Sequence, residues 1–462
     1  IIYCDKALSI NQNSLECLIN KGEALKELKL YKEALECEKS VLLINPGYAE
    51  VWSNIGNIFK ELKQYDHAIE HYDQALNLNP DYAKGWFNKG LISHELGLFE
   101  EALDFYSRAI KIDPTYHEAL TNKGATYHEL KQFNDAIAHF DKALALKPDY
   151  HDASWNKGLS LLVQGDFENG LILYESRFNS ESVNKIAGGR FFKEPRWFGG
   201  EPIKGKTILV YKEQGFGDFI QFCRYCKLVA NLGARVILET PKALVSLIKN
   251  LEGVSQVVAE GDEFPHFDYQ CPLLSLPLAF KTNLYTIPSD PKYINLDNHK
   301  DRVYSWKAKL GKKIKPRVGL VWSGNPHHKN DHMRSLSLER LIGFLPTQYE
   351  YICLQREIRD SDLRTLELNP QILNFSDDLN DFLETAALIE NVDLVISVDT
   401  SVAHLSGALG KKTFLMLSYT PDWRWLLDRD DSPWYPAVRL YRQSQVGIWD
   451  GVLEKIRFDL NT

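Results

Sequence analysis

Residues 393–412 read DLVISVDTSVAHLSGALGKK. Leu394, Val395, Ile396 and Val398 form an apolar, β-branched run that predicts a buried parallel strand. The run stops at Asp399-Thr400-Ser401, and Val402, Leu405, Ala408 and Leu409 then recur at helical spacing. Gly410 ends that helix, and Thr413–Leu417 reads as the next strand. A strand–turn–helix–strand unit is the building block of a doubly wound α/β sheet. Thr400 and Ser401 are good N-cap residues, and the helix start behind them offers unpaired N–H groups and partial positive charge. Such a tip receives phosphate, and His404, about one turn further on, can reach the same group. Alone, the stretch reads equally well as an ordinary capped turn with a surface histidine. The surrounding chain favours the functional reading.

Upstream, residues 317–322 (RVGLVW) predict another strand, followed by Ser323-Gly324-Asn325-Pro326 and a polar loop with His327, His328, Lys329, Asn330, His332 and Arg334. The histidines lack the spacing of a closed ligand set, so no metal site is predicted. A loop of Ser, Gly, Asn, Lys and Arg after a strand more naturally receives an anion. Further strands are expected at 351–354 and 372–375, and a helix at 382–390. An aromatic-rich tail follows at 421–436, then a strand at 438–441. The last helix, 449–456, is expected to return to the preceding α/β half. Asp428-Arg429-Asp430 has DxD spacing but reads as surface charge in that tail.

Residues 207–211 predict a short strand, and Glu213-Gln214-Gly215-Phe216-Gly217-Asp218 follows it. A helix over 219–232 and a strand over 236–239 complete a second β–glycine loop–α–β unit. The glycines permit a tight turn and close backbone approach. Asp218 sits at the helix start, either as an N-cap carboxylate or as a general base facing the other half. Pro291 and a polar run within 289–301 mark the crossing between halves.

The first third is built differently. Pro46, Pro80, Pro114 and Pro148 are spaced by 34 residues. Gly22, Gly56, Gly90, Gly124 and Gly158 keep the same register, as do Ala34, Ala68, Ala102 and Ala136. Two amphipathic helices per 34-residue unit resemble the tetratricopeptide repeat, which stacks into an α-solenoid with a concave groove. The last unit decays: Gly170 and Arg177 replace the small alanines, as suits a terminal unit that docks onto the next domain. Asn20, Asn54, Asn88, Asn122 and Asn156 also recur, two residues before each glycine. Asparagine is a mediocre helix former, and its carboxamide matches the N–H and C=O of an extended peptide. The repeats of the O-linked N-acetylglucosamine transferases resemble this, and the resemblance implies a ladder that holds an acceptor protein or peptide by its main chain. Local bonding between neighbouring repeats is the alternative.

The chain has 462 residues, enough for two or three domains, and a net charge of −8 that leaves no basic footprint for nucleic acid. Seven scattered cysteines make a disulfide framework unlikely, and Cys223 and Cys226 read as buried thiols. No apolar run approaches the length of a membrane span and no signal peptide is present, so a cytoplasmic protein is expected. The chain begins at Ile1 within a helix, which points to a missing natural N-terminus. The expected organisation is a repeat array at 1–180, a linker at 181–204 whose aromatics Phe191, Phe192, Trp197 and Phe198 are expected to pack between domains, and α/β halves at 205–300 and 301–462.

Two Rossmann-like halves suggest the GT-B architecture. The EQGFGD, SGNP and DTSVAHLSGALG turns resemble the heptosyltransferase-like enzymes of glycosyltransferase family nine, over about residues 205–456. With the repeats, the whole resembles bacterial repeat-fused glycosyltransferases. The resemblance implies an acceptor side in the first half, through Glu213, Gly215, Gly217 and Asp218, with Asp218 as base. It implies a donor side in the second half, where Ser323, Gly324, Asn325, Lys329, Arg334, Asp399, Thr400, Ser401 and His404 hold a nucleotide sugar, His404 meeting the leaving phosphate. No cofactor or metal is then needed, because Lys329, Arg334 and the helix start supply positive charge. Two alternatives stay open: a non-catalytic repeat adaptor, and a transferase acting on a lipid-linked or polysaccharide glycan.

Overall fold

The structure is a computed structural model that describes residues 1–180, 190, 192–327 and 330–462. It divides into two compact units, Ile1–Lys157 and Gly158–Thr462.

The first unit is a stack of helical hairpins. After Ile2–Ile10 come the pairs Leu15–Glu27 with Tyr31–Ile44, Ala49–Glu61 with Tyr65–Leu78, Ala83–Glu95 with Phe99–Ile112, and His117–Glu129 with Phe133–Leu146. The register residues explain the packing. A Cβ on Gly56 would lie 2.5 Å from the Tyr72 ring, one on Gly90 2.6 Å from Tyr106, and one on Gly124 2.7 Å from Phe140. Each of these three glycines is therefore a slot for an aromatic ring of the following helix, while Gly22 faces the Glu38 carboxylate and Gly158 faces backbone. Ala34, Ala68, Ala102 and Ala136 are fully buried where only a methyl group fits. The Nε1 atoms of Trp52 and Trp86 donate to the carbonyls of Pro46 and Pro80, both at 3.0 Å, tying each first helix to the proline that precedes it. Ala49–Glu61 also touches Leu15–Glu27 and Ala83–Glu95, so the first helices form the closer-spaced side of the stack.

The second unit begins inside helix His151–Val163 and takes in Phe167–Tyr174. The boundary thus falls before residue 180, because the last repeat helix packs with the α/β elements. Two all-parallel sheets follow. The first has order β3-β2-β1-β4, with β1 Thr207–Tyr211, β2 Arg235–Thr240, β3 Gln256–Ala259 and β4 Tyr269–Pro272. The second has order β10-β9-β8-β5-β6-β7. Its strands are β5 Arg317–Val321, β6 Glu350–Cys353, β7 Ile372–Asn374, β8 Leu394–Val398, β9 Thr413–Leu417 and β10 Val438–Arg442. Every residue of β5, β8 and β9 is buried, which is why these strands read as continuous apolar runs. In the first sheet the chain steps from β1 to β2 to β3, then returns to the other side of β1 as β4. In the second it runs β5 to β7, then returns beside β5 as β8. The direction therefore reverses at β1/β4 and at β5/β8, and ligands of open α/β sheets bind at the carboxyl ends of such strands.

Three expectations change. The helix predicted over 219–232 is two pieces, Phe216–Phe222 and Tyr225–Asn231, because Arg224 Nε donates to the Gln221 carbonyl at 2.7 Å and takes an acceptor from the helical ladder. The C-terminal helix Asp450–Asn461 does not return to the first sheet. Val452, Leu453, Ile456 and Leu460 sit in the core of the second with Val318, Leu341 and Tyr351. The connector's aromatics pack on the first sheet rather than between domains: Phe192 lies 5.1 Å from Tyr211, and Trp197 N donates to the Gln270 carbonyl of β4 at 2.9 Å. Phe198 is exposed, and Phe191 lies outside the described residues. Cys223 and Cys226 are free, buried thiols.

Glu38 is a costly group in the first unit. It is 1% exposed, and its carboxyl is pushed from 4.5 to about 7, chiefly by burial, against a hydrogen bond from Asn54. A raised carboxyl favours the folded state fully below pH 4.5, and that contribution is lost as pH rises towards about 7. Glu38→Gln should therefore stabilise the repeats at pH 8 by ~1–3 kcal/mol and change little near pH 4.5. Urea titrations followed by helical circular dichroism at both pH values test this, and an equal gain at both would contradict it.

Candidate active site at the sheet junction

Strand β8 delivers the chain to Asp399 and Thr400, and helix Ser401–Ala408 starts there. Thr400 is the N-cap, in extended conformation (φ −144°, ψ 171°), and its side chain caps no backbone amide. Strand β1 delivers the chain to Gly215, the N-cap of helix Phe216–Phe222. Asp218 Oδ2 accepts from Gly215 N at 3.0 Å, the reciprocal half of an N-terminal cap. These two helices pack on each other, and Gly217 sets the approach. A Cβ there would lie 2.8 Å from His404 Cδ2 and 3.6 Å from Ser401 Cα. The helix starts at the two switch points therefore meet.

The junction is densely charged. Arg424 Nη2 donates to Asp218 Oδ1 at 2.5 Å, and its Nη1 donates to both carboxylate oxygens of Asp422 at 2.8 and 2.9 Å. Arg334 Nη1 donates to the Asp399 carbonyl at 3.1 Å. Trp425 Nε1 donates to Asp399 Oδ2 at 2.9 Å, and its ring stacks on His404 with centroids 5.2 Å apart. His404 Nδ1 lies 2.9 Å from Tyr435 Oη, and its Nε2 is 3.7 Å from Asp399 Oδ1. Burial drives the His404 imidazole well below its usual range, and Arg424 and Arg224 add to this, so the ring is neutral near pH 7. Burial and the neighbouring Asp422 raise the Asp399 carboxyl to about 6, against Trp425, Arg334 and Arg424. Burial also raises Asp218, against the Arg424 charge. A neutral imidazole and carboxyls lifted towards neutrality suit proton transfer near pH 7.

Several expected residues lie elsewhere or are already engaged. Glu213 does not face the junction. It is buried and held by Arg177, with Nε–Oε2 at 2.8 Å and Nη2–Oε1 at 3.1 Å, and it accepts from Leu274 N at 3.0 Å. Ser323 is 6% exposed, with its N–H and hydroxyl both bonded to Gln355. Gly324 N donates to Ser335 Oγ at 2.9 Å, so this amide is not free for phosphate. Asn325 is exposed and closes its own turn by accepting from His327 N. Lys329 lies outside the described residues. Of the basic loop, Arg334 reaches the junction, with its guanidinium against Gly324, where a Cβ would meet Nη2 at 2.6 Å. The tail residues Asp422, Arg424, Trp425 and Tyr435 were not singled out in the sequence. Their signal is the alternation of tryptophan and arginine in PDWRW, followed by DSPWYP. Asp428-Arg429-Asp430 is a turn against β10, in which Asp430 O accepts from Leu440 N at 2.7 Å. Among the described residues no cluster could hold a metal ion.

The repeat asparagines donate within the array. Asn54 Nδ2 reaches Glu38 Oε1 at 3.3 Å, and Asn88 Nδ2 reaches Ser53 Oγ at 3.3 Å. Asn122 and Asn156 donate to the Glu118 and Asp152 carbonyls, each at 2.9 Å. Asn20 is exposed. Bonding between neighbouring repeats thus accounts for Asn54 and Asn88, while Asn122 and Asn156 donate within their own helices.

Arg177 is fully buried and also bonds Glu175 and Ser275. Breaking such a set from one side strands the partners. Arg177→Met should cost the 158–462 unit about 3–5 kcal/mol, and adding Glu213→Gln should recover part of it. Urea unfolding of the three variants measures both, and a loss under about 1 kcal/mol would sink the assignment.

Residues 49–82, 83–116 and 117–150 match the tetratricopeptide repeat family model. Protein FlbA of Caulobacter vibrioides is 26% identical over 330 residues, covering 64% of this chain and 52% of that protein. The chain thus spans about half the length of that curated relative. The share exceeds what residues 1–180 alone supply, so the likeness extends into the α/β unit. Among solved structures, MamA is 25% identical, covering 31% of this chain and 85% of its own, with a TM-score of 0.28. YrrB, described as a TPR protein with an unusual peptide-binding site, is 19% identical, covering 39% and 94%, with a TM-score of 0.30. TTC0263, a thermophilic TPR protein in Thermus thermophilus, is 20% identical, covering 37% and 94%, with a TM-score of 0.33. Among the described residues no helix is long and apolar enough to cross a membrane. The N-terminal helical hairpins are tetratricopeptide repeats, a protein-interaction module, joined to an α/β unit of two parallel sheets.

Proposed function

We propose that the α/β unit is a GT-B-type glycosyltransferase, moving a sugar from a nucleotide-sugar donor to a hydroxyl of a protein held by the repeats. The observation that carries this reading is the meeting of two switch-point helix starts, with Asp218 on one side and His404, Asp399 and Arg334 on the other. The acceptor oxygen attacks the anomeric carbon and its proton passes to Asp218. The bond from that carbon to the phosphate oxygen breaks, and its electron pair leaves with the nucleotide. Negative charge then grows on the departing phosphate, where fixed dipoles and cations stabilise it most. The uncapped start of helix Ser401–Ala408 and the Arg334 guanidinium supply these. When Tyr435 donates to Nδ1, the neutral His404 carries its proton on Nε2 and can donate a hydrogen bond to the leaving oxygen. Closure aligns the reactants. The protein-interaction role of such repeats supports the groove as the acceptor's place, and the carbonyl oxygens of the ladder asparagines other than the buried Asn88 are the groups that would receive peptide N–H.

One observation favours the adaptor reading: both Asp218 oxygens are engaged, one by Gly215 N–H and one by Arg424. Incubation with a panel of nucleotide sugars and an assay for free nucleotide decides between them. Turnover with at least one donor is expected, and neither turnover nor nucleotide binding with any would leave the adaptor. Asp218→Ala should lower transfer by about 10²–10⁴-fold while donor binding persists. Lost donor binding would contradict its role as base. Replacing Asn54, Asn88 and Asn122 with Ala should weaken protein acceptors and spare small ones, and equal loss on both would remove the ladder.

A further inference from the structure

Arg424 belongs to the chain that follows β9, yet its side chain crosses to the first sheet's glycine loop. It is 5% exposed, and its Nη atoms are committed to Asp422 and Asp218. Its Nε is buried without a partner. So are Nε1 of Trp423, the adjacent residue, which is 4% exposed, and both side-chain polar atoms of the fully buried Gln221, on the helix that carries Asp218. Orphaned buried donors are rare because they forfeit their hydrogen bonds to water. The Trp423 ring lies 4.9 Å from the Arg424 guanidinium, at a junction where two sheets present the carboxyl ends of their strands. The planar fork of arginine matches a pair of oxygens, and a diphosphate offers the same two-oxygen edge as the Asp422 carboxylate. Each Asp218 oxygen already accepts one hydrogen bond, and the Arg424 charge lowers the basicity of the carboxylate while it stays there.

We propose that Arg424 grips the donor's diphosphate, exchanging the Asp218 carboxylate for phosphate oxygens when the donor enters. The inference rests on the glycosyl-transfer reading and deepens it. Donor binding then does two things at once: it gives the guanidinium a doubly charged acceptor, and it releases the base. A chain without donor holds Asp218 in an ion pair, so the acceptor is deprotonated only after the donor is in place. Arg424 thereby takes the anchoring role that the sequence assigns to Ser323 and Gly324, whose amides are bonded elsewhere.

The experiment is a double-mutant cycle on the full chain, with UDP, GDP and ADP as probes and calorimetric affinity as the readout. Wild type is expected to bind at least one of the three. Arg424→Met should weaken that binding by about tenfold or more, the scale of a lost charge-assisted hydrogen bond. Asp218→Asn should tighten it by about fivefold, because the guanidinium no longer has a competing partner. In the Arg424→Met background the Asp218→Asn gain should vanish. A gain that persists undiminished without Arg424 is only the field of a removed carboxylate and overturns the exchange, as does an unchanged affinity in Arg424→Met. Should Arg424→Met fail to fold, Arg424→Lys, which keeps the charge and loses the fork, completes the cycle. Binding of none of the three to wild type removes the transfer reading itself and this inference with it.

Discussion

The missing side chain at Gly217 is the constraint on which the junction depends. Helix Phe216–Phe222 meets helix Ser401–Ala408 at the distance a hydrogen atom allows, with the His404 ring in the space a methyl group would take. Around this contact the two sheets are sealed by aromatic rings. Phe222 stacks on Trp423 at 6.1 Å and meets Trp434 edge-on at 5.6 Å, and Phe167 of the last repeat reaches both tryptophans. Arg224, just past the end of helix Phe216–Phe222, donates to the Trp434 carbonyl at 2.6 Å. Large rings bury apolar area and hold a fixed geometry. The polar groups between them therefore have few alternative partners, which keeps the charge pattern specific.

The last repeat helix shares that seal, which explains why the unit boundary falls within the repeats. An arginine where the repeat pattern asks for a small alanine looks like decay in the sequence. In the structure Arg177 is a buried cation answering Glu213, one strand-end away from the glycine loop. Burial alone would lower this guanidinium and raise the carboxyl, yet each counters the other's cost. Gln214 adds a bond to the Tyr174 hydroxyl at 3.1 Å. The loop that carries Asp218 is thus braced from behind by the end of the repeat array.

What the sequence made legible follows from the range of the forces involved. Strands β5 and β8, helix Phe382–Glu390 and the repeat register are written in local periodicity, and they lie within a residue or two of expectation. The helix start at Thr400 is local too. The roles of Glu213, Ser323 and Arg424 are not, because each is fixed by a partner far along the chain: Arg177 for Glu213, Gln355 for Ser323, Asp218 for Arg424. A glutamate beside a glycine loop looks available for chemistry until a buried arginine is found against it. The C-terminal helix shows the same limit: its apolar stripe announces that it packs, and only the fold says on which sheet.

The charge pattern of the junction is dense and unevenly balanced. Three carboxylates, Asp218, Asp399 and Asp422, stand among two guanidiniums, Arg334 and Arg424, and a neutral imidazole. Buried cations without partners are expensive, and here Arg424 takes Asp422 and Asp218 while Arg334 takes Asp331 and the Asp399 carbonyl. The carboxylates pay for this unevenly: Asp422 keeps a bidentate partner, Asp218 shares one, and Asp399, which meets Arg334 only through its carbonyl, is raised to about 6. Asp399 is therefore the least compensated of the three carboxylates. The resting ion pairs and the lifted carboxyl are then two faces of one electrostatic problem, set by bringing two helix starts together around Gly217.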